Sequence, residues 1–313
     1  MTGKLYNKRI ITCAILTLTV CPAYAASLPD SGTALEGAKP PAIERPVQKI
    51  PEINVEEREP AVSAGGQQKI MVKEFRLSGE LLLPANELLK LIQNEAGREI
   101  NLNELNKLAD KLTKYLRQKG YLVAFAYIPA QDIKDGVVEI DIVPGKYGQI
   151  KFAGDGHIDR EQLKAMLFTA RPGMVITRAP LERALLLISD ISGVNVKATL
   201  TPGETTGTAD LVLETADTDK INVSVYADNW GNRYTGRTRY GTQLTVNNFS
   251  NNGDAFNLGG LTTFNGINNY NFGYSAQLGY DGVKAEIKYS HVGYTLGDTF
   301  ADLGATGRAA VTR

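Results

Sequence analysis

The sequence predicts two small α+β modules followed by the first strands of an antiparallel transmembrane β-barrel. Three observations carry this. Between Tyr270 and Tyr280 the residues Tyr270, Phe272, Tyr274, Ala276, Leu278 and Tyr280 alternate with Asn271, Gly273, Ser275, Gln277 and Gly279. A period of two is a strand with two unlike faces, and aromatics at both ends of an apolar face mark a strand that spans a bilayer. Upstream, a β-α-α-β-β pattern occurs twice: Gly97 and Ile100-Asn101 recur 76 residues later as Gly173 and Ile176-Thr177. Such a repeat is one module used twice. The N-terminus reads as an export signal, which puts the chain where an outer-membrane barrel is assembled.

Residues 1–25 are that signal. Lys4, Lys8 and Arg9 precede the apolar run Ile10 to Val20, and Ala23-Tyr24-Ala25 is the cleavage site. The run is too short to span a bilayer. Cys13 and Cys21, the chain's two cysteines, both fall inside it. The exported protein is therefore expected to lack disulfides and thiolate metal sites. Export, long strand alternation and no cysteine point to the outer membrane of a diderm bacterium. Lys+Arg and Asp+Glu are equal at 34 each, so charge gives no argument for nucleic acid.

Residues 26–68 carry Pro29, Pro40, Pro41, Pro46, Pro51 and Pro60 with few large apolar side chains. This composition predicts an extended linker, with Asp30-Ser31 capping a short helix toward Lys39.

Residues 69–146 are the first module. Ile70, Val72, Phe75 and Leu77 form a strand with an irregularity. Pro84 starts a helix through Leu88, Leu89 and Ile92. Asn101 with Glu104 makes a capping box for a second helix, with Leu102, Leu105, Leu108, Leu112 and Leu116 on one face and Gly120 ending it. Val123, Phe125 and Tyr127 alternate with Ala124, Ala126 and Ile128, which puts the larger set in the core. After the turn Asp135-Gly136, Val138, Ile140 and Ile142 face inward.

Residues 147–217 repeat the plan. Ile150 and Phe152 form a strand, Asp159 precedes a helix through Leu163, Met166 and Leu167, and Thr177 caps a helix with Leu181, Leu185 and Ile188. Val194, Val196 and Ala198 form the next strand. In the last, Leu211 and Leu213 alternate with Asp210, Val212 and Glu214.

Residues 218–313 change to strand after strand. Five apolar faces are predicted: Ile221 to Ala227, Tyr240 to Val246, Phe256 to Phe264, Tyr270 to Tyr280, and Val283 to Tyr289. The opposite faces carry Gln243, Asn271, Gln277, Lys284, Glu286 and Lys288, the pore-lining candidates if the sheet closes into a barrel. Tight turns at Asn251 to Asp254 and Asp281-Gly282 alternate with longer connections, as in outer-membrane barrels.

Enzyme chemistry is not expected. His157 and His291, the chain's two histidines, lie on different modules and predict no zinc site. Each is expected to face solvent or a lumen. Gly154-x-Gly156 lacks the rest of a dinucleotide fingerprint and reads as a turn. Asp217-x-Asp219 lacks the glycine and terminal Glu of a calcium loop. Asn222-Val223-Ser224 and Asn248-Phe249-Ser250 match a glycosylation pattern that alternation places inside the sheet. No cofactor is predicted.

Pro129-Ala130-Gln131-Asp132-Ile133, Asp135-Gly136-Val137 and Val143-Pro144-Gly145 resemble the end of the first periplasmic repeat of the two-partner secretion outer-membrane transporters, the TpsB or ShlB/FhaC/HecB haemolysin secretion/activation family. Asp228-Asn229-Trp230-Gly231 with Thr235-Gly236-Arg237 is similar to that family's opening barrel hairpin. The resemblance implies two POTRA modules in the periplasm that bind a secreted TpsA-type exoprotein, of haemagglutinin or haemolysin kind. It also implies a sixteen-stranded barrel in outer-membrane lipid that passes this partner without ATP. Leu28 to Gly32 would map to the family's plug helix. In the POTRA arrangement the second strand of each module is a sheet edge. Val123, Ala124, Phe125, Ala126, Tyr127 and Ile128 in the first module, and Val194, Val196 and Ala198 in the second, are then the partner-binding candidates by strand addition. About five strands are fewer than a bacterial barrel needs, so the resemblance implies a chain cut short after its first barrel strands. The competing readings are a BamA-superfamily assembly factor and a periplasmic scaffold that only binds.

Overall fold

A computed structural model describes residues 38–39, 51–56, 69–133 and 135–313. The export signal and the Leu28 to Gly32 segment lie outside the described residues.

The first module opens after a short strand β1 (Ile53–Val55) that belongs, in space, to the second. The predicted irregular first strand is two strands, β2 (Lys69–Val72) and β3 (Glu74–Gly79), broken at Lys73. The first helix, α1 (Ala85–Leu89), is shorter than expected, and Ile92 lies beyond it in a tighter turn. Strand β4 (Arg98–Asn101), absent from the sequence reading, pairs antiparallel with β2. It leads directly into α2 (Leu102–Gln118).

Helix α2 begins as its sequence dictates. The Glu104 N–H donates to Asn101 Oδ1 at 2.9 Å, and the Asn101 N–H donates back to the Glu104 carboxylate at 3.0 Å. Leu105, Leu108, Ala109, Leu112 and Leu116 form its buried face. Each leucine there contributes about 1.5–3 kcal/mol by leaving water. Gly120, at φ 97°, ends the helix as predicted. β5 (Phe125–Tyr127) then pairs antiparallel with β6 (Val137–Val143), which pairs parallel with β3. The sheet order is β3-β6-β5.

The second module contains β7 (Lys146–Gly154), α3 (Arg160–Met166), α4 (Arg178–Ser189), β8 (Val194–Pro202) and β9 (Thr208–Asp217). Asp159 caps α3 through its side chain, whereas Thr177 heads α4 without a side-chain bond. The repeat predicted from sequence extends to the cores: Leu105 and Leu181, and Leu112 and Ile188, occupy corresponding helix positions and are fully buried. Asp210, a charged residue on the last strand, is buried. Strand β7 slips register between Tyr147 and Ile150, and there the buried Asp210 carboxylate accepts the Gln149 N–H and the Lys151 ammonium, both at 2.8 Å. The backbone N–H and then Lys151 hold this carboxyl below the usual range.

The third part is a six-stranded antiparallel meander: β10 (Ile221–Asp228), β11 (Arg239–Asn247), β12 (Ala255–Thr262), β13 (Ile267–Leu278), β14 (Val283–Thr295) and β15 (Thr306–Thr312). Five of these follow the predicted alternation. The sixth, β15, was not expected: its run Thr306-Gly307-Arg308-Ala309-Ala310-Val311 has no aromatic and little amphipathic contrast. Asn248 sits buried in the turn after β11 rather than inside the sheet.

The second module abuts the tight-turn end of this sheet. Asn248 Nδ2 donates to the His157 carbonyl at 2.6 Å, and Lys284 Nζ donates to the Asp190 carbonyl at 2.7 Å, at the C-terminal end of α4. A cation there also meets the negative end of the helix dipole. The predicted short turns thus lie on the module side, and the longer connections lie at the far end.

Candidate partner edges and inner sheet face

A sheet edge binds a strand only if its outward backbone groups are unpaired. The two predicted edges differ sharply in this respect. In the first module, Val123 and Ala124 are not in the edge strand. They follow the end of α2 in a turn where Tyr121 bridges Thr177, and Leu122 and Val123 pack on the second module's core. Gly145 fits against the Val123 carbonyl so closely that a Cβ would sit 2.9 Å from its oxygen. This explains the glycine of Val143-Pro144-Gly145: the junction has no room for a side chain.

The facing is also the reverse of that expected. Ala124 and Ala126 are buried, Phe125 is half-buried, and Tyr127 is exposed. Small residues are needed inward because α2 lies close above the strand. Thr113 on α2 accepts the outward Ala126 N–H at 2.9 Å, and Arg117 Nε donates to the Ala124 carbonyl at 3.4 Å. The helix has therefore taken over groups that an added strand would use. Ile128 follows the strand, half-buried against the same core. Beyond it, the Gln131 side chain imitates a neighbouring strand, exchanging two 2.8 Å bonds with the Glu139 backbone.

In the second module, β8 contains Val194, Val196 and Ala198 as predicted, all three facing the core. Its free side is not open along its whole length. β1 pairs with it in parallel, Ile53 with Ala198, Asn54 with Thr199 and Val55 with Leu200, and the Glu56 N–H adds a bond to the Leu200 carbonyl at 2.8 Å. The proline-rich linker is thus more than a tether: three of its residues form the fourth strand of this sheet, in the order β1-β8-β9-β7. At the far end of β9, Asp217 receives the His157 N–H at 2.8 Å and meets its imidazole at 2.5 Å. The backbone bond foremost holds Asp217 below the usual carboxyl range.

The six pore-lining candidates lie on one face of the meander. Cross-strand register places Gln243 opposite Gly259 and that glycine opposite Asn271, with Gln277 opposite Lys284 and with Lys288 and Glu286 along the same face of β14. Asn269 is on this face, two residues from Asn271. Its Nδ2 donates to the Ala38 carbonyl at 3.1 Å. Ala38, 0% exposed, rests on Leu261, Ile267 and Val292. Residues 38 and 39 therefore lie against the polar face, the inner one if the sheet is barrel wall. Of the six candidates, Lys284 is engaged by the second module, and Lys288 pairs with Glu286 at 2.7 Å. Sequence patterning did not single out Arg239, which is 3% exposed on this same face. Its Nε and Nη2 grip both oxygens of Asp228 at 2.7 and 2.8 Å, and Nη1 donates to the Lys39 carbonyl at 3.0 Å. An Arg in the middle of a family-like hairpin gives no sequence signal of that kind.

The opposite face is apolar and uncovered. Ile221, Val223, Val225, Leu258, Tyr270, Phe272, Leu278 and Ile287 are all exposed. An exposed apolar surface of this extent needs an apolar neighbour. His291 is on this face, stacked on Tyr270 at 4.8 Å, and not on the polar one. Close approach also shapes the hairpin motif. The Gly231 N–H donates to the Arg237 carbonyl, and a Cβ on Gly231 or Gly266 would collide with the Gly236 or Thr235 carbonyl.

Comparison with known proteins agrees with this architecture. Residues 70–145 match the family model for the POTRA domain, ShlB-type, and residues 207–312 match that for the haemolysin secretion/activation protein ShlB/FhaC/HecB. The chain belongs to the ShlB/FhaC/HecB family. The Heme/hemopexin transporter protein HuxB of Haemophilus influenzae is 30% identical over 227 residues, 72% of this chain and 40% of that protein. The outer membrane transporter CdiB of Escherichia coli is 26% identical over 190 residues, 60% of this chain and 32% of that protein. The solved structure of CdiB from Escherichia coli superposes with a TM-score of 0.60 at 22% identity, covering 88% of this chain and 49% of that one. CdiB from Acinetobacter baumannii gives 0.52 at 21% identity, covering 86% and 52%. These superpositions speak for the fold. The chain spans about 40% of the length of the family relative HuxB. Within the family its two α+β modules are POTRA modules, and its meander corresponds to barrel strands.

Proposed function

We propose that this chain is part of an outer-membrane transporter of two-partner secretion. Its POTRA modules stand in the periplasm and receive a secreted exoprotein. Its meander is barrel wall, with the apolar face toward lipid and the polar face toward the pore. Gln243, Asn271, Gln277, Glu286 and Lys288 line that pore, while Lys284 couples it to the second POTRA module. The exoprotein is of TpsA type, carrying a haemagglutinin- or haemolysin-like secretion domain, and it crosses unfolded without ATP.

The observation that carries this reading is the inner face itself. The second of two modules abuts the tight-turn end of a sheet that is apolar on one face and polar on the other, and the polar side holds residues 38 and 39 by their carbonyl groups. A polypeptide-conducting wall has that combination. Partner recognition falls to the β8 edge rather than β5. Only residues 198–200 of β8 are occupied by β1, and a three-residue strand is a weak competitor. An Ala126→Pro substitution is not a clean probe of the other edge, because it removes the bond to Thr113.

The deciding experiment is secretion of an exoprotein with a haemagglutinin-like N-terminal domain, in cells with and without the full-length gene. Export that persists without the gene overturns the reading. Pull-down of the exoprotein's N-terminal domain, lost on replacing Val196 with Pro in a protein that still folds, tests the β8 assignment separately, because the Val196 N–H, in phase with the Leu200 carbonyl, faces away from β9.

A further inference from the structure

We propose that Arg239 and Asn269 form a main-chain-binding site on the inner face, one that holds two consecutive peptide carbonyls beside a pocket for a single small side chain. The proposal rests on the transport reading above, and it names what the wall does to the chain that passes.

The chemistry follows from the donors. Asp228 takes two edges of the Arg239 guanidinium and fixes its plane, so that Nη1 is aimed by a rigid fork. That nitrogen meets the Lys39 carbonyl, and Asn269 Nδ2 meets the carbonyl of the residue before it. Both contacts read backbone and not side chain. The ligand therefore needs no particular sequence, apart from one restriction. The first residue's side chain enters a pocket closed by Leu261, Ile267 and Val292, where Ala38 has no exposed surface. Alanine fits there, as glycine or serine would, and a large side chain does not.

A second observation points to a ligand beyond residues 38 and 39. Asn269 is 8% exposed, and its Oδ1 is buried without a hydrogen-bond partner among the described residues. A primary amide has both a donor and an acceptor end, and a peptide group presents the complementary pair. The chain's own segment satisfies one end only. A buried acceptor left unmade is costly, and a polypeptide that offers a carbonyl and an N–H together would satisfy both. The site is thus better matched to a passing chain than to its resident one. Its occupant is an unfolded polypeptide rich in small residues, with residues 38 and 39 as the resident stand-in.

The test uses the membrane-inserted protein and two readouts. The first is maleimide labelling of an Ala38→Cys variant. It should be slow, and it should rise about tenfold when Asn269→Leu or Asn269→Asp is added, the equivalent of roughly one hydrogen bond. Asn269→Asp keeps the shape but puts a charged acceptor oxygen where the donor was, which repels a peptide carbonyl, so it guards against a purely steric effect of the leucine variant. The second readout is photocrosslinking of short peptides carrying a benzophenone. Two shuffled Ala/Gly/Ser peptides should crosslink equally to the inner face, a Leu/Phe peptide should crosslink far less, and Asn269→Asp should reduce the first two about tenfold. Labelling that ignores both Asn269 substitutions overturns the proposal, as does crosslinking that survives Asn269→Asp or favours the bulky peptide. Loss of exoprotein export is a separate readout: absent export with intact peptide crosslinking sinks the transport reading and leaves this site standing.

Discussion

The two POTRA modules share a core and differ at their edges. Leu112 and Ile188 lie at corresponding places on α2 and α4, both fully buried, and the glycines Gly97 and Gly173 both turn at φ 85°. Yet β5 has three residues and β8 has nine. The short edge is finished by a helix, through Thr113 and Arg117. The long edge is finished by three residues of the chain's own linker. A duplicated module can keep its interior and still diverge in how it disposes of exposed backbone, because the interior is fixed by packing and an edge needs only some partner for its polar groups. The same difference separates the module that docks on its neighbour from the module that retains an accessible edge.

The largest effect should come from the shared part. Leu112→Ala and Ile188→Ala each remove a fully buried side chain from equivalent positions, and each should cost about 2–5 kcal/mol in chemical denaturation. Markedly unequal losses would break the claim that the cores are equivalent.

Next is the first module's own device. Thr113→Val keeps the shape and leaves the buried Ala126 N–H without its acceptor, which should cost about 1–3 kcal/mol. Amide exchange at Ala126 should accelerate by the same free energy. The corresponding residue of α4, Ser189, instead donates to the Leu186 carbonyl at 2.9 Å, within its own helix.

Asp210 supplies a pH-dependent counterpart in the second module. Its folded pKa is depressed, so the stability it contributes is present above the unfolded value of about 3.9 and is lost as pH falls through the folded value. Asp210→Asn should therefore be less stable than the parent at pH 7, by about 1.5–3 kcal/mol for bonds to a charged group. The gap should close below about pH 4. A gap that stays constant down to pH 2 would contradict this.

The smallest effect on stability belongs to the linker strand. Glu56→Pro deletes the N–H that bonds the Leu200 carbonyl and should cost about 1 kcal/mol or less. Exchange of the backbone amides at 198–200 should nevertheless rise, and exoprotein binding should strengthen if β8 is the receiving edge. Weaker binding would show that β1 forms part of the receptor surface.

Much of the fold was legible because it rests on periodicity. The capping box at Asn101 and Glu104, the leucine face of α2, and the two-sided strands from Ile221 to Tyr289 all follow from residue spacing that any local environment must respect. The predicted pore-lining set fell on one face because strand alternation and register leave no other choice once one pair is fixed. The misses have physical causes as well. β15 lacks contrast between its faces. Asp210 is polar in sequence, but a bulge in β7 supplies it with donors. Phe125 and Tyr127 look like core residues, but the close approach of α2 admits only Ala124 and Ala126.

What the sequence determined by itself was the inventory: two repeated modules, and strands with one apolar and one polar face. It did so because those properties are set within a few residues of one another. The tertiary structure alone decided which backbone groups remain available. Whether β5 is capped by Thr113, whether Ile53 to Val55 lie along β8, and whether Arg239 and Asn269 meet the carbonyls of residues 38 and 39 depend on groups from 13 to 231 residues apart. Spacing along the chain carries no record of those meetings, since each is settled by where the packed elements happen to leave a donor facing an acceptor.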